Sequence, residues 1–201
     1  MPDRRKQRYG DAEFDWDYRV DTTSATVGGH DRWLGLLHTS YQPTEPSAFH
    51  DMLDALKIDF REFTFIDLGS GKGRTLLMAS EYPFRRIVGV ELLLSLYQIT
   101  LQNIHQYKSD SQQCRNLDSI CQDARAFVFP AQPLVVFIFN SLPEPALTTV
   151  ISNLEQSLAA QPRPAYVIYH NALLEHVLAQ CTLLRRATSA AQYVIYSAQP
   201  A

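Results

Sequence analysis

From Thr44 onward the apolar positions fall into short runs that alternate between two periods. Phe49, Met52, Leu53 and Leu56 recur at i, i+3, i+4 and i+7, which predicts a helix with one buried face, with Thr44 as its cap and Pro46 in its first turn. "FTFIDLG" (63–69) then reads as a short apolar strand, "RTLLMASEY" (74–82) as a helix stopped by Pro83, and "RIVGVEL" (86–92) as a second strand. Leu96, Ile99, Ile104 and Tyr107 suit one face of a helix ending near Lys108. "LDSICQD" (117–123) is a weaker third strand and "PLVVFIFN" (133–140) a strong fourth, too uniformly apolar to leave one face in water. Leu147, Val150, Ile151, Leu154 and Leu158 mark the next helix, "PAYVIYH" (164–170) the fifth strand, and Leu173 to Gln180 a short helix. "CTLLRRAT" (181–188) and "QYVIYSA" (192–198) follow with only a few residues between them, a link that permits an antiparallel hairpin and forbids a parallel crossover.

Strand and helix in alternation predict an α/β fold: a doubly wound, three-layer αβα arrangement around a mostly parallel sheet that ends in the hairpin. Residues 1–43 break the pattern. They are polar, acidic between Asp11 and Asp21, and without sustained period, so they read as an irregular lead-in with a short helix over Asp31 to His38, ahead of one domain over 44–201.

Composition narrows the class. A chain of 201 residues, 46% hydrophobic and 19% charged, is sized for one soluble core. It carries no apolar run of the roughly 20 residues a membrane helix needs. "MPDRRKQRYG" is positive but is followed by no apolar core, so no secretory signal is read there and a cytoplasmic location is the expectation. Cys114, Cys121 and Cys181 show no CxxC spacing and no paired histidines, which predicts buried free thiols rather than a metal site or a disulfide framework. A net charge of −3 gives no general pull on nucleic acid, and the basic cluster Arg4, Arg5, Lys6 and Arg8 reads as a solvated tail.

The chemistry starts at "DLGSGKG", Asp67 to Gly73, between the first strand and its helix. A phosphate loop would need GxxxxGK followed by a hydroxyl residue; Gly73 stands in that place, and Ile66 where the leading glycine should be. A dinucleotide fingerprint would need its third glycine at Arg74. What remains is Asp-x-Gly-x-Gly-x-Gly, whose glycines allow positive φ and close approach of a ligand to the main chain. Asp67 would repel a pyrophosphate and attract an ammonium group. Glu91, ending the second strand, is placed to accept from ribose hydroxyls, and Asp123 with the Ala124 amide to grip an adenine edge. Ammonium, ribose and adenine together describe S-adenosylmethionine.

In these residues, "DLGSGKG", "VGVE" with Glu91, "QDA" with Asp123 and "VVFIFN" with Asn140, the chain resembles the class I, seven-strand, Rossmann-like S-adenosylmethionine-dependent methyltransferases. The resemblance implies the strand order 3-2-1-4-5-7-6. It also implies a cofactor site made by Asp67, Gly69, Ser70, Gly71, Gly73, Arg74, Glu91, Leu92, Asp123, Ala124 and Asn140, with S-adenosylhomocysteine as product. "DLGSGKGR" is similar to the turns of uncharacterised bacterial members and of the non-SET protein-lysine methyltransferases. "YRVDTT" (18–23) and "YQPT" (41–44) resemble upstream motifs of the bacterial members, which implies a lid with Tyr41 and Thr44 closing over the cofactor.

Methyl transfer from a sulfonium needs alignment and desolvation first, and a base only where the acceptor must lose a proton early. Asn140, ending the fourth strand, and His170, ending the fifth, are the candidate catalytic residues. "NSLP" (140–143) departs from the [DNS]-Pro-Pro-[YF] motif of base and glutamine methyltransferases, which turns the expected acceptor toward a protein lysine or a small molecule, with no nucleic acid and no membrane. Arg74 is a candidate contact for a carboxylate, and Trp16 and Trp33 read as packing residues. Two other readings stay open: a non-catalytic S-adenosylmethionine-binding regulatory module, and a nicotinamide-dependent oxidoreductase, the latter disfavoured by Arg74 and the hairpin.

Overall fold

A computed structural model describes residues 13–23 and 43–199. Its helices are α1 (Glu13–Tyr18), α2 (Pro46–Asp54), α3 (Arg74–Ala79), α4 (Leu94–Gln106), α5 (Glu144–Ala160) and α6 (Glu175–Ala179). Its strands are β1 (Thr64–Leu68), β2 (Arg86–Glu91), β3 (Leu117–Cys121), β4 (Leu134–Phe139), β5 (Ala165–His170), β6 (Arg185–Ser189) and β7 (Tyr193–Ala198). Short 3-10 turns cover Phe60–Glu62 and Ala124–Ala126. The seven strands form one sheet in the order β3-β2-β1-β4-β5-β7-β6. β7 enters antiparallel to β5 and pairs with β6 as the terminal hairpin, while the other neighbours run parallel.

Alternating side chains of the central strands serve two cores. Phe65, Val135, Phe137, Ile168 and Ile195 meet Phe49, Met52 and Leu53 of α2 and Leu76 and Met78 of α3. Ile66, Leu68, Val136, Ile138 and Val167 meet Leu147, Val150, Ile151 and Leu154 of α5 with Val177 and Leu178 of α6. Phe49 packs edge-on against both Phe65 and Phe137, with ring centroids 5.9 and 5.6 Å away, and so anchors α2 across β1 and β4.

Several boundaries differ from those read in the sequence. Thr44 does not cap α2: Glu45 is the cap residue, extended at φ −68° and ψ 135°, and no side chain closes the helix end. Proline disfavours helical backbone in the residue before it, so Pro46 forces the cap onto Glu45 and leaves Thr44 one position too early. α3 ends at Ala79 rather than at Tyr82, with the Ser80 hydroxyl donating to the Leu77 carbonyl at 2.6 Å. Cys114 and Cys181 are buried as expected, but Cys121 is exposed, because β3 is the sheet's edge strand. Among the described residues no helix is long and apolar enough to cross a membrane.

Part of the stretch expected to be irregular is ordered around one acid. Asp15, in α1, is fully buried, and its carboxylate accepts from the main-chain N–H of Thr22 (3.0 Å) and Thr23 (2.9 Å) and from both threonine hydroxyls. Phe14, Tyr18 and Val20 then pack against Leu77 and Tyr107. Asn103 of α4 clasps Asp21 through both main-chain groups, accepting from its N–H at 2.9 Å and donating to its carbonyl at 2.8 Å. Tyr41, Trp33, the expected helix over 31–38 and the basic cluster lie outside the described residues.

Asn103 is 2% exposed and also donates to the Lys72 carbonyl, so its loss strands buried partners on both sides. Asn103→Ala is expected to cost about 1–3 kcal/mol in urea unfolding. It should also speed amide exchange across residues 13–23 while leaving β4 and β5 protected.

Candidate functional site

The glycine turn joins β1 to α3 with three left-handed residues, Gly69 at φ 84°, Gly71 at 56° and Gly73 at 81°. It is fixed from every side. The N–H groups of Gly69 and Ser70 both donate to the Val90 carbonyl, at 2.8 and 3.2 Å, and Gly73 N–H closes back on the Ser70 carbonyl at 2.8 Å. From α4 the Thr100 hydroxyl donates to the Gly71 carbonyl at 2.7 Å. Ser141, just after β4, donates to the Leu68 carbonyl at 2.7 Å. A Cβ at Gly69 would lie 2.4 Å from the Ser141 hydroxyl, and one at Gly73 2.6 Å from the Thr100 methyl.

Two buried acids border this turn. Glu91, at the end of β2, accepts from Gly71 N–H on one oxygen and from Leu93 N–H on the other, each at 2.8 Å. Burial raises its pKa above the usual glutamate value, and the hydrogen bonds from Leu93 and Gly71 oppose the rise. Asp67 in β1 accepts from the Thr75 hydroxyl of α3. Burial pushes it up to about 7; the Thr75 hydrogen bond holds it back and the neighbouring Glu91 charge adds to the rise.

The remaining candidates fall into two groups. At the end of β2, Leu92 is 45% exposed and Leu94 58%, leaving apolar carbon beside the strand end. The Asp123 carboxylate caps the 3-10 turn through Arg125 N–H at 2.8 Å and grips the Arg125 guanidinium, which holds its pKa below the ordinary aspartate value. Ala124 is buried in the first position of that turn. Ser70 turns its side chain inward onto Gly89, where its hydroxyl finds no partner, so it presents main chain rather than side chain to the turn.

Asn140 and His170 end adjacent strands. Asn140 is left-handed at φ 43° and accepts from the Tyr169 hydroxyl at 3.2 Å. His170 stacks face to face on its cross-strand partner Phe139, with ring centroids 4.1 Å apart and planes 17° from parallel. Its Nδ1 is buried with no hydrogen-bond partner among the described residues. Burial lowers its pKa below the ordinary histidine value, so the ring is neutral at physiological pH.

Arg74, expected at a carboxylate, is 4% exposed and lies under α1, its guanidinium carbon 4.7 Å from the Phe14 ring centre. Lys72, set aside with the phosphate-loop reading, is buried and donates to the Asp21 carboxylate and the Thr23 carbonyl, each at 2.8 Å. Sequence reasoning also missed Thr100, Asn103 and Ser141. The first two do stand one turn apart on α4, but nothing in sequence marks them as closing a turn some thirty residues away. Thr44 is buried, and Tyr41 lies outside the described residues.

Comparison with known proteins places residues 61–151 under a family model described as "Putative methyltransferase". No curated protein matches the chain in sequence. Solved structures resemble it in fold. A precorrin-6y C5,15-methyltransferase from Geobacter metallireducens has a TM-score of 0.59 at 16% identity, over 81% of this chain and 93% of its own. A ribosomal protein L11 methylase from Lactobacillus delbrueckii subsp. bulgaricus has 0.53 at 12%, over 80% of each chain. A dimethyladenosine transferase from Plasmodium falciparum has 0.55 at 15%, over 80% of this chain and 64% of its own. The seven-strand sheet with its flanking helices matches the α/β fold of these methyltransferases.

The raised pKa of Asp67 has a signed consequence for stability. Its folded value of about 7 stands above the ordinary 3.8, so the native state keeps a proton that the unfolded chain releases. The contribution of this group therefore favours folding least at high pH, falling as pH rises from about 4 to 7 and levelling beyond. Asp67→Asn is expected to flatten that part of the profile. Urea midpoints measured every half unit from pH 4.5 to 8 check it, and parallel profiles for the two proteins would contradict the assignment.

Proposed function

We propose that this chain is an S-adenosylmethionine-dependent methyltransferase acting on a protein lysine or a small molecule. The observation that carries the reading is the junction of Glu91 with Gly71: a buried carboxylate at the end of β2, hydrogen-bonded to the left-handed turn after β1, in a sheet of class I order. The residues present fit the cofactor part by part. Asp67 borders the turn as an acid for an ammonium group, and the main chain of Gly69, Ser70, Gly71 and Gly73 takes the amino-acid portion. Glu91 keeps spare lone pairs on both oxygens for ribose hydroxyls. The exposed carbon of Leu92 covers an adenine face, with Asp123 and Ala124 at its edge.

When bound, the cofactor supplies a methyl group already activated by its sulfonium, so the protein's work is orientation and exclusion of water. Asn140 offers a carbonyl oxygen, already steered by the Tyr169 hydroxyl, to accept the hydrogens of an acceptor amine. His170, kept neutral by burial, holds an unprotonated ring nitrogen able to take a proton from the acceptor. A net charge of −3 supports an acceptor other than nucleic acid.

Titration calorimetry with S-adenosylhomocysteine tests the reading directly: binding is expected in the micromolar range or tighter, and a folded sample silent at high micromolar ligand would refute it. Glu91→Ala is expected to weaken that binding by about 1–3 kcal/mol through lost charge-assisted hydrogen bonds. An unchanged affinity would remove Glu91 from the ribose role.

A further inference from the structure

Arg74 is a charged side chain, 4% exposed, for which the described residues provide no ion pair and no hydrogen bond. Its Nε is buried without a partner, and the Phe14 ring against the guanidinium offers a π face but no acceptor for that N–H. A guanidinium removed from water in this way is costly unless an anion meets it. The neighbouring acids are engaged elsewhere: Asp21 with Lys72, Asp15 with Thr22 and Thr23, Asp67 with Thr75, Glu91 with Gly71 and Leu93. Arg74 directly follows Gly73 and precedes Thr75, which holds Asp67, so the unmatched cation belongs to the glycine turn.

We propose that Arg74 is the receptor for the carboxylate of the cofactor's amino-acid end, and that through Phe14 it couples ligand binding to the docking of residues 13–23. The inference rests on the cofactor reading above and deepens it. Asp67 and Arg74 then divide the two charges of an amino-acid zwitterion, the acid taking the ammonium and the arginine the carboxylate. A planar, forked guanidinium suits a carboxylate bidentately, which the compact head of Lys72 would not. Phe14 supports the guanidinium from α1, and α1 is tied on through Val20, Asn103 and Lys72. An anion that settles Arg74 against Phe14 therefore also fastens the segment that carries the ring.

The test compares two ligands that differ only in the amino-acid end: S-adenosylhomocysteine and 5′-methylthioadenosine, which lacks both carboxylate and ammonium. Arg74→Met is expected to weaken S-adenosylhomocysteine about ten- to hundredfold in calorimetry, in line with loss of hydrogen bonds to a charged group, and to leave methylthioadenosine unchanged. Its urea midpoint should be equal to or above that of the parent, because an apolar chain replaces an unpaired buried charge. In hydrogen exchange, S-adenosylhomocysteine should slow residues 13–23 in the parent more than methylthioadenosine does, and Phe14→Leu should lose that difference. Equal losses for both ligands, or none for either, would overturn the inference while the cofactor reading stood. A midpoint that falls in Arg74→Met would overturn it as well, since Arg74 would then be structural. Failure of the parent to bind either nucleoside would remove the cofactor reading and this inference with it.

Discussion

The hydrogen bond from Gly71 N–H to the Glu91 carboxylate ties together pieces of chain that would otherwise have no reason to meet. β1 and β2 run parallel with Leu68 beside Val90, so the chain leaving β1 finds the Val90 carbonyl ready for the N–H groups of Gly69 and Ser70. One residue further on, Glu91 reaches back to Gly71 with one oxygen and forward to Leu93 with the other. That second bond sets where α4 starts. From there Thr100 and Asn103 fall on the helix face that returns to the turn, and they take the carbonyls of Gly71 and Lys72. One carboxylate thus fixes the turn, the start of α4 and the face from which α4 closes the turn. Left-handed glycines make this possible, since a side chain at Gly69 or Gly73 would collide with Ser141 or Thr100.

The neighbouring residues Lys72 and Arg74 show how one turn handles two cations differently. The lysine is compact and finds a carboxylate and a carbonyl in the Asp21 to Thr23 segment, so it pins that segment to the turn. Among the described residues the arginine receives an aromatic face and no acceptor. Across the turn, burial raises the proton affinity of both Asp67 and Glu91, and the Glu91 charge adds to the rise at Asp67. Beside the turn, the Asp67 carboxyl and the Arg74 guanidinium offer one acid and one cation, a pair that a zwitterionic ligand would match charge for charge.

Much of the fold was legible because burial writes itself into composition. β4 and β5 are apolar along nearly their whole length because helices cover both faces, and the hairpin was forced by a link too short for a crossover. The strand order came from resemblance, since alternation alone does not say that β4 sits beside β1. The polar residues at strand ends were legible for a related reason: Asp67, Glu91, Asn140 and His170 each interrupt or close an apolar run, so the run itself marks their place in the fold. Residues whose work is to touch the turn from elsewhere were not. Thr100 and Asn103 look like ordinary helix residues, Ser141 like a loop residue, and Lys72 like half of a failed phosphate motif. The fold of "VDTT" around Asp15 was hidden as well, because a buried aspartate in a polar stretch cannot be told by pattern from a solvated one. Thr44 failed as a cap for a purely local reason, the veto that Pro46 imposes on the residue before it.

The two ends of the strands differ in how completely they satisfy their polar groups. At the end where β1, β2 and β3 begin, charges answer each other: Arg61 with Asp59 and Arg86 with Asp118. At the opposite end Lys72 pairs with Asp21 and Arg125 with Asp123, but Asn140 and Asn171 hold left-handed backbone after β4 and β5, and among the described residues Ser70, Arg74 and His170 keep buried polar atoms with no partner, as Ser119 does within β3. Polar satisfaction is the rule inside proteins, and departures from it persist where another constraint outweighs stability. Several such departures toward one end of the strands, near a turn that is itself held by Glu91, Thr100, Asn103 and Ser141, are hard to account for by stability. Under the proposed reading, a ligand that supplies an ammonium to Asp67, a carboxylate to Arg74 and hydroxyls to Glu91 accounts for the acids and the arginine together, with Asn140 and His170 at the neighbouring strand ends.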